Sequence, residues 1–127
     1  MPRILIIEDE RQVRDALGQM LTRVGYETDV AADGEEGLRC FLNHPADLVI
    51  TDILMPGLDG LETIEVLRRD YPGLPIIAIS GGGPGEKAKF ALEMAQECGA
   101  VHILAKPFSR QEIMAVIKEA LESTNSV

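Results

Sequence analysis

The sequence predicts an α/β protein: an open, doubly wound sheet of five parallel strands with helices on both faces. Two observations carry that prediction. Four short apolar runs each end in a charged or hydroxyl residue: Ile4-Leu5-Ile6-Ile7 before Glu8-Asp9, Leu48-Val49-Ile50 before Thr51-Asp52, Ile76-Ile77-Ala78-Ile79 before Ser80, and Ile103-Leu104-Ala105 before Lys106. Runs this short and this β-branched read as strands buried on both faces, as in parallel sheets. Segments with helical apolar spacing lie between them, and such alternation argues right-handed crossovers. The carboxyl ends of the strands then share one edge, where open α/β sheets bind ligands.

Taken in order, the first strand is followed by Val13, Ala16, Leu17, Met20, Leu21 and Val24 at helical spacing, and Gly25 stops that helix. Thr28 to Ala31 makes a weak second strand. Asp33-Gly34-Glu35-Glu36 reads as a helix start, with Asp33 as N-cap and Glu36 three residues on. Leu38, Phe41 and Leu42 form its apolar side, and Pro45 ends it. The third strand reaches Asp52. Asp59-Gly60-Leu61-Glu62 repeats the capping pattern and opens a helix carrying Ile64, Leu67 and Arg68, closed by Pro72-Gly73. Pro75 to Ser80 is the fourth strand. Gly81-Gly82-Gly83-Pro84-Gly85 predicts a flexible loop, because glycine loses the most backbone freedom when ordered. A helix resumes from Glu86 with Phe90, Leu92, Met94 and Ala95 and ends at Gly99. Beyond the fifth strand, Ser109-Arg110-Gln111-Glu112 is a capping box, followed by Ile113, Val116, Ile117, Ala120 and Leu121 on one stripe. Ser123 to Val127 reads as a short polar tail.

Composition narrows the function. A chain of 127 residues is about one domain, with a single substantial core and no internal linker. The formal charge of -9, from 21 acidic against 12 basic residues, argues against binding a phosphate backbone and favours partners with basic patches. Cys40 and Cys98 lie far apart with no metal-binding spacing, so they read as buried free thiols in a reducing compartment. No segment approaches the ~20 apolar residues of a membrane span, and Ile4 to Ile7 is too short for the core of a secretion signal. A soluble cytoplasmic protein is expected.

The chemistry is expected where the strands end. Glu8, Asp9 and Asp52, brought close together, would raise one another's pKa unless a positive charge sat among them. A hard divalent cation is the simplest neutraliser, and carboxylate oxygens with room for water suit Mg²⁺ better than zinc. Lys106 supplies a second, fixed positive charge, and Ser80 can donate to a phosphoryl oxygen. A carboxylate nucleophile, a Mg²⁺ and a lysine around one point describe phosphoryl transfer, where catalysis is mostly positioning and charge neutralisation. An acid after a strand is commonly only a solvated turn or a helix cap. Unrelated caps would rarely place an acid pair, an acid, a hydroxyl and a lysine at the same end of successive strands.

These residues resemble the motifs of response-regulator receiver domains, similar to the single-domain chemotaxis type. The resemblance rests on Ile6-Ile7-Glu8-Asp9-Glu10, Thr51-Asp52-Ile53-Leu54-Met55-Pro56-Gly57-Leu58-Asp59-Gly60, Ile79-Ser80-Gly81, Gly99-Ala100 and Ala105-Lys106-Pro107-Phe108, and it spans residues 3 to about 121. It implies a flavodoxin-like (βα)5 fold with strand order 2-1-3-4-5, a receiver over residues 1–127 and no effector domain. It further implies that Asp52 accepts a phosphoryl group from a phosphohistidine of a sensor histidine kinase or histidine phosphotransfer protein. Asp9, Asp52 and the Leu54 carbonyl would hold Mg²⁺ directly, and Glu8 through water. Lys106 would neutralise phosphoryl oxygens, with Lys106-Pro107 held cis. Ser80 would follow the phosphoryl group inward and carry the change to the fourth helix, fifth strand and fifth helix, altering the binding of a downstream protein. Such a chain is a switch that catalyses only its own phosphoryl transfer and a slow self-hydrolysis. It contacts neither nucleic acid nor membrane. The helix around Lys87 to Ala95 and the last helix form the expected docking surface.

Three departures stand out. Ile103 occupies the place where the family usually has an aromatic ring, so ring rotation is not the expected readout; the neighbouring His102 reads as an exposed strand-end histidine. Ser80 and Lys106 are about four residues further apart than usual, which places extra length around the glycine-rich loop. Leu54 stands two residues after the phosphoacceptor, where an apolar side chain should shield the acyl phosphate. The alternatives are a flavin-mononucleotide binder, disfavoured because Glu8-Asp9-Glu10 would repel the phosphate; a phosphatase, for which Leu54 is no general acid; and a pseudo-receiver, against which every site residue is chemically competent.

Overall fold

The computed structural model describes residues 2–53, 60–80, 93, 102–106 and 108–125. The elements are β1 (Arg3–Ile7), α1 (Arg11–Val24), β2 (Glu27–Ala31), α2 (Gly34–Asn43), β3 (Leu48–Asp52), α3 (Gly60–Asp70), β4 (Ile76–Ser80), β5 (His102–Ala105) and α4 (Arg110–Asn125). The glycine-rich loop over 81–85, the helix expected from Glu86, Leu54 and Pro107 lie outside the described residues, as does Cys98. Cys40 is a free, half-buried thiol.

All five strands pair in parallel, in the order β2-β1-β3-β4-β5. Parallel neighbours need crossovers, and the helices that make them cover both faces of the sheet. Alternate side chains along each strand therefore serve two cores. Leu5, Ile7, Val49, Ile76 and Ala78 pack with Phe41, Ile64 and Leu67 of α2 and α3. Ile4, Ile6, Leu48, Ile50, Ile77 and Ile79 pack with Leu17 and Leu21 of α1 and Ile113, Ile117 and Ala120 of α4. Burying each of these larger side chains contributes about 1.5–3 kcal/mol, which is why uninterrupted Ile/Leu/Val runs suit the central strands.

The helix ends follow the predicted chemistry. Gly25 sits at φ 112°, and the N–H groups of Gly25 and Tyr26 close the last turn of α1 on the carbonyls of Thr22 and Leu21. Asp33 accepts from the Glu36 N–H at 2.8 Å, while the Glu36 carboxylate reaches back to the Ala32 N–H at 3.2 Å. At α4 the box is reciprocal: the Glu112 N–H donates to Ser109 Oγ at 3.0 Å and the Ser109 N–H to Glu112 Oε1 at 3.1 Å.

Three expectations are corrected. The strand ending at Ala105 is not buried on both faces: β5 is last in the order, pairs among the described residues only with β4, and leaves Ile103 37% exposed while Leu104 packs toward α1 and α4. Leu42 does not belong to the apolar side of α2. The buried stripe runs through Gly34, Gly37 and Phe41, and Leu42, about 100° further round the helix, is 70% exposed. The expected tail from Ser123 is partly helical, since α4 continues to Asn125.

Candidate functional site

The strand registers put the candidate residues on one edge. Ile7 pairs with Thr51, so Glu8 and Asp52 leave adjacent strands side by side. Ser80 pairs with Ala105, which places Lys106 one residue beyond β4's own terminus. Backbone bonds continue the ladder past the strand ends: Glu8 N–H to the Ala31 carbonyl at 3.0 Å, Ile53 N–H to Ile79 at 3.0 Å, and Lys106 N–H to Ser80 at 2.8 Å. Rigid sheet thus carries these side chains to the rim.

Lys106 is the centre of the cluster. Its Nζ donates to Asp52 Oδ2 at 2.9 Å and stands 2.5 Å from Glu8 Oε1 and 3.5 Å from Glu10 Oε1. Glu8 and Asp52 are almost completely buried, and Asp9 is exposed. Burial pushes the Glu8 carboxyl up to about 7, and the Asp52 charge adds to that push; the hydrogen bond from Lys106 works against it. Burial opposes the charge on Lys106 too, but its contacts to Glu8 and Asp52 outweigh that penalty and hold the ammonium above its ordinary value.

One carboxylate oxygen each from Glu8, Asp9 and Asp52 lies within 4.8 Å of the others. One ammonium among these carboxylates leaves them incompletely neutralised, and an all-oxygen donor set with an exposed member has room for waters. That set fits a hard divalent cation such as Mg²⁺. Ser80 is 1% exposed, and its Oγ has no hydrogen-bond partner among the described residues. A buried hydroxyl in that condition is suited to an incoming acceptor. Glu8, Asp9, Asp52, Ser80 and Lys106 are therefore brought to the same edge, while Leu54 lies outside the described residues. His102 corrects an expectation: it is half-buried, with Nε2 shielded and unpartnered among the described residues, because it shares the inward face of β5 with Leu104.

Several contributors escaped the sequence reading. Gly60 looks like part of a capping pattern, yet a Cβ there would stand 2.0 Å from the Asp52 carbonyl oxygen and 2.4 Å from the Ile53 Cα. Only a residue without Cβ lets the start of α3 lie against the end of β3. An isolated glycine at a helix start carries the signal of close approach, but nothing local names what approaches. Glu10 touches Lys106, and Arg14 donates to the Glu8 carbonyl at 3.0 Å. A groove of about 610 Å³ opens beside the site, lined by Val13, Leu17 and Met20 of α1 and by Phe108 and Ile113, with Lys106 at its end. No helix among the described residues is long and apolar enough to cross a membrane.

Comparison with known proteins identifies the family and agrees with the fold. The response regulator receiver domain model matches residues 4–118. A putative response regulator NtrX-like protein of Rickettsia bellii is 35% identical over 123 residues, covering 95% of this chain and 25% of its own length. The response regulator MprA of Mycobacterium sp. strain KMS is also 35% identical over 123 residues, covering 97% of this chain and 52% of its own. The chain thus spans a quarter to a half of these relatives. The crystal structure of a response regulator receiver domain protein from Clostridium thermocellum superposes with a TM-score of 0.89 at 28% identity, covering 98% of both chains. A family-model match over residues 4–118 and a parallel sheet in the order 2-1-3-4-5 make this chain a member of the response-regulator receiver family.

Proposed function

We propose that the chain is a phosphorylation-controlled switch of a two-component system in which Asp52 takes a phosphoryl group from a phosphohistidine. The observation that carries this reading is the placement of Asp52: a buried carboxylate 2.9 Å from Lys106 Nζ, beside Glu8 and Asp9 at an edge open to solvent through Asp9. A carboxylate oxygen of Asp52 attacks phosphorus, the P–N bond of the phosphohistidine breaks, and the imidazole nitrogen leaves with the electron pair. The product is an acyl phosphate. Asp9, Asp52 and the Leu54 carbonyl would hold Mg²⁺, with Glu8 acting through water. When bound, the cation neutralises charge on the phosphoryl oxygens and orients them for in-line displacement.

The chain's own groups do the rest. Lys106, already at Asp52, is close enough to pass from carboxylate to phosphoryl oxygen as charge builds there. Ser80 donates its hydroxyl to a phosphoryl oxygen, which satisfies an Oγ otherwise unpartnered among the described residues. Moving Ser80 shifts the end of β4 and, through the Lys106 N–H bond to its carbonyl, the end of β5. A charged, acceptor-rich group at such an edge biases two conformations. Ile103, exposed on β5, offers no aromatic ring, so the readout does not use ring rotation. The donor is a sensor histidine kinase or a histidine phosphotransfer protein, and the signal leaves through a downstream protein that recognises the altered face. The activity is that of a switch: its chemistry is its own phosphorylation and a slow loss of the phosphoryl group.

Acetyl phosphate tests this directly. Incubation with MgCl₂ should add one phosphoryl group per chain, read by intact-protein mass spectrometry, and the adduct should be labile to hydroxylamine. Asp52→Asn and omission of the metal should each abolish it. Labelling that persists in Asp52→Asn would refute the assignment of the acceptor.

A further inference from the structure

The loop from Glu8 to Glu10 carries Asp9, the exposed member of the acid cluster, and something must hold that side chain toward its partners. The sheet ladder ends with the Glu8 N–H bonded to the Ala31 carbonyl, so the Glu8 carbonyl is the first backbone group beyond it. That carbonyl accepts from Arg14 Nη1 at 3.0 Å. A peptide unit is planar, and the plane containing the Glu8 carbonyl also contains the Asp9 nitrogen and Cα. Tying down one oxygen therefore fixes where Asp9 sits. The next plane is tied by the Glu10 N–H, which donates to Glu8 Oε2 at 3.2 Å, and the plane after it by the Glu10 carbonyl, which accepts the Arg14 backbone N–H at 2.9 Å. Arg14 thus holds both ends of the loop, one through its side chain and one through its backbone. Its guanidinium forms no ion pair among the described residues, although it lies beside a strongly acidic cluster.

We propose that Arg14 is a positioning residue for divalent-cation binding, clamping the Glu8-Asp9 peptide so that the Asp9 carboxylate is preorganised toward Glu8 and Asp52. The proposal rests on the reading of these acids as a Mg²⁺ site. It makes a prediction of opposite sign to simple electrostatics. Removing a positive charge near a cation site should tighten cation binding; removing a clamp should weaken it.

The test is calorimetric titration of MgCl₂ into the wild type, Arg14→Met and Arg14→Lys, with thermal melting in EDTA alongside. The clamp predicts Mg²⁺ affinity lowered roughly tenfold in Arg14→Met, the scale typical when a group supporting a metal ligand is lost. Arg14→Lys, which keeps the charge but not the fork, should fall between. An unchanged or tighter affinity in Arg14→Met overturns the proposal, and so does a lowered melting temperature accompanied by wild-type affinity. Should Arg14→Met fail to fold, Arg14→Lys decides by the same titration: weaker binding supports the clamp, and equal binding overturns it. A wild type that takes up no Mg²⁺ would instead refute the metal-site reading itself.

Discussion

Arg3 and Lys106 stand at opposite ends of the same sheet, and each gathers acids around one cation. At the amino end, Arg3 pairs with Glu27 at 3.0 Å and Asp29 at 2.9 Å, and its backbone N–H donates to Asp47 at 2.8 Å. At the carboxyl end, Lys106 meets Glu8, Asp52 and Glu10. The difference is solvent. The Arg3, Glu27 and Asp29 side chains are 29%, 60% and 25% exposed, whereas those of Lys106, Glu8 and Asp52 are 13%, 0% and 4% exposed. Water screens the first cluster, which ties β1 to β2 and to the start of β3. Burial leaves the second with strong, incompletely balanced fields, and on the proposed function a divalent cation would complete the balance. A similar collection of charges is a solvated strap in one place and, on the proposed function, a site for chemistry in the other.

The sharpest way to break the comparison is to remove each cation in turn. Lys106→Met leaves buried carboxylates uncompensated and should cost about 3 kcal/mol in urea unfolding with EDTA. Added MgCl₂ should recover more of that loss than it adds to the wild type, because it neutralises the same oxygens. An equal response to MgCl₂ in both proteins would show that the metal binds elsewhere.

Glycines at the two ends provide the next contrast. Gly60→Ala drives a Cβ into backbone at the end of β3 and should cost roughly 2 kcal/mol, with a parallel drop in acetyl phosphate labelling. Gly73→Ala, at the other end, meets nothing within 4 Å and should leave thermal stability within about 0.5 kcal/mol of the wild type.

Glu8 adds a pH signature to the carboxyl-end cluster. Its carboxyl is raised from 4.5 to about 7, so between those values the folded state binds more protons than the unfolded one. The stability contribution is largest below pH 4.5 and is lost as pH rises toward 7. Lys106, raised above 10.5, adds no slope in that window. Urea midpoints in EDTA should therefore show Glu8→Gln gaining on the wild type between pH 4.5 and pH 7; a constant gap would contradict the assigned burial cost. The smallest effect belongs to Arg3→Met, at most about 1 kcal/mol and reduced further by salt.

Much of this architecture was legible because local rules and global fold agree. Gly25, Asp33 and the Ser109/Glu112 box carry their capping chemistry within a few residues, and each works as its type predicts. The site acids were legible because each follows a strand. Leu42 and Ile103 were misjudged for a shared reason: apolar character shows that a residue can be buried, whereas helix phase and position in the sheet decide whether it is. His102 failed in the reverse direction, as a polar residue carried under cover by the alternation of an edge strand.

What the sequence alone determined, among the described residues, is the strands and helices, the caps at Gly25, Asp33 and Ser109, and the identity of the groups at the sheet edge. These depend on side-chain period and on hydrogen bonds that span three or four residues. Only the tertiary structure decided that Lys106 sits between Glu8 and Asp52, that Gly60 lies against the Asp52 backbone and that Arg14 donates to the Glu8 carbonyl. Those contacts include Lys106 with Asp52, 54 positions away, and with the still more distant Glu8, and they exist only once parallel pairing has aligned the strand ends. Burial then separates the acids around Lys106 from those around Arg3, because the loss of water strengthens a charge's interactions and also makes leaving it unbalanced costly.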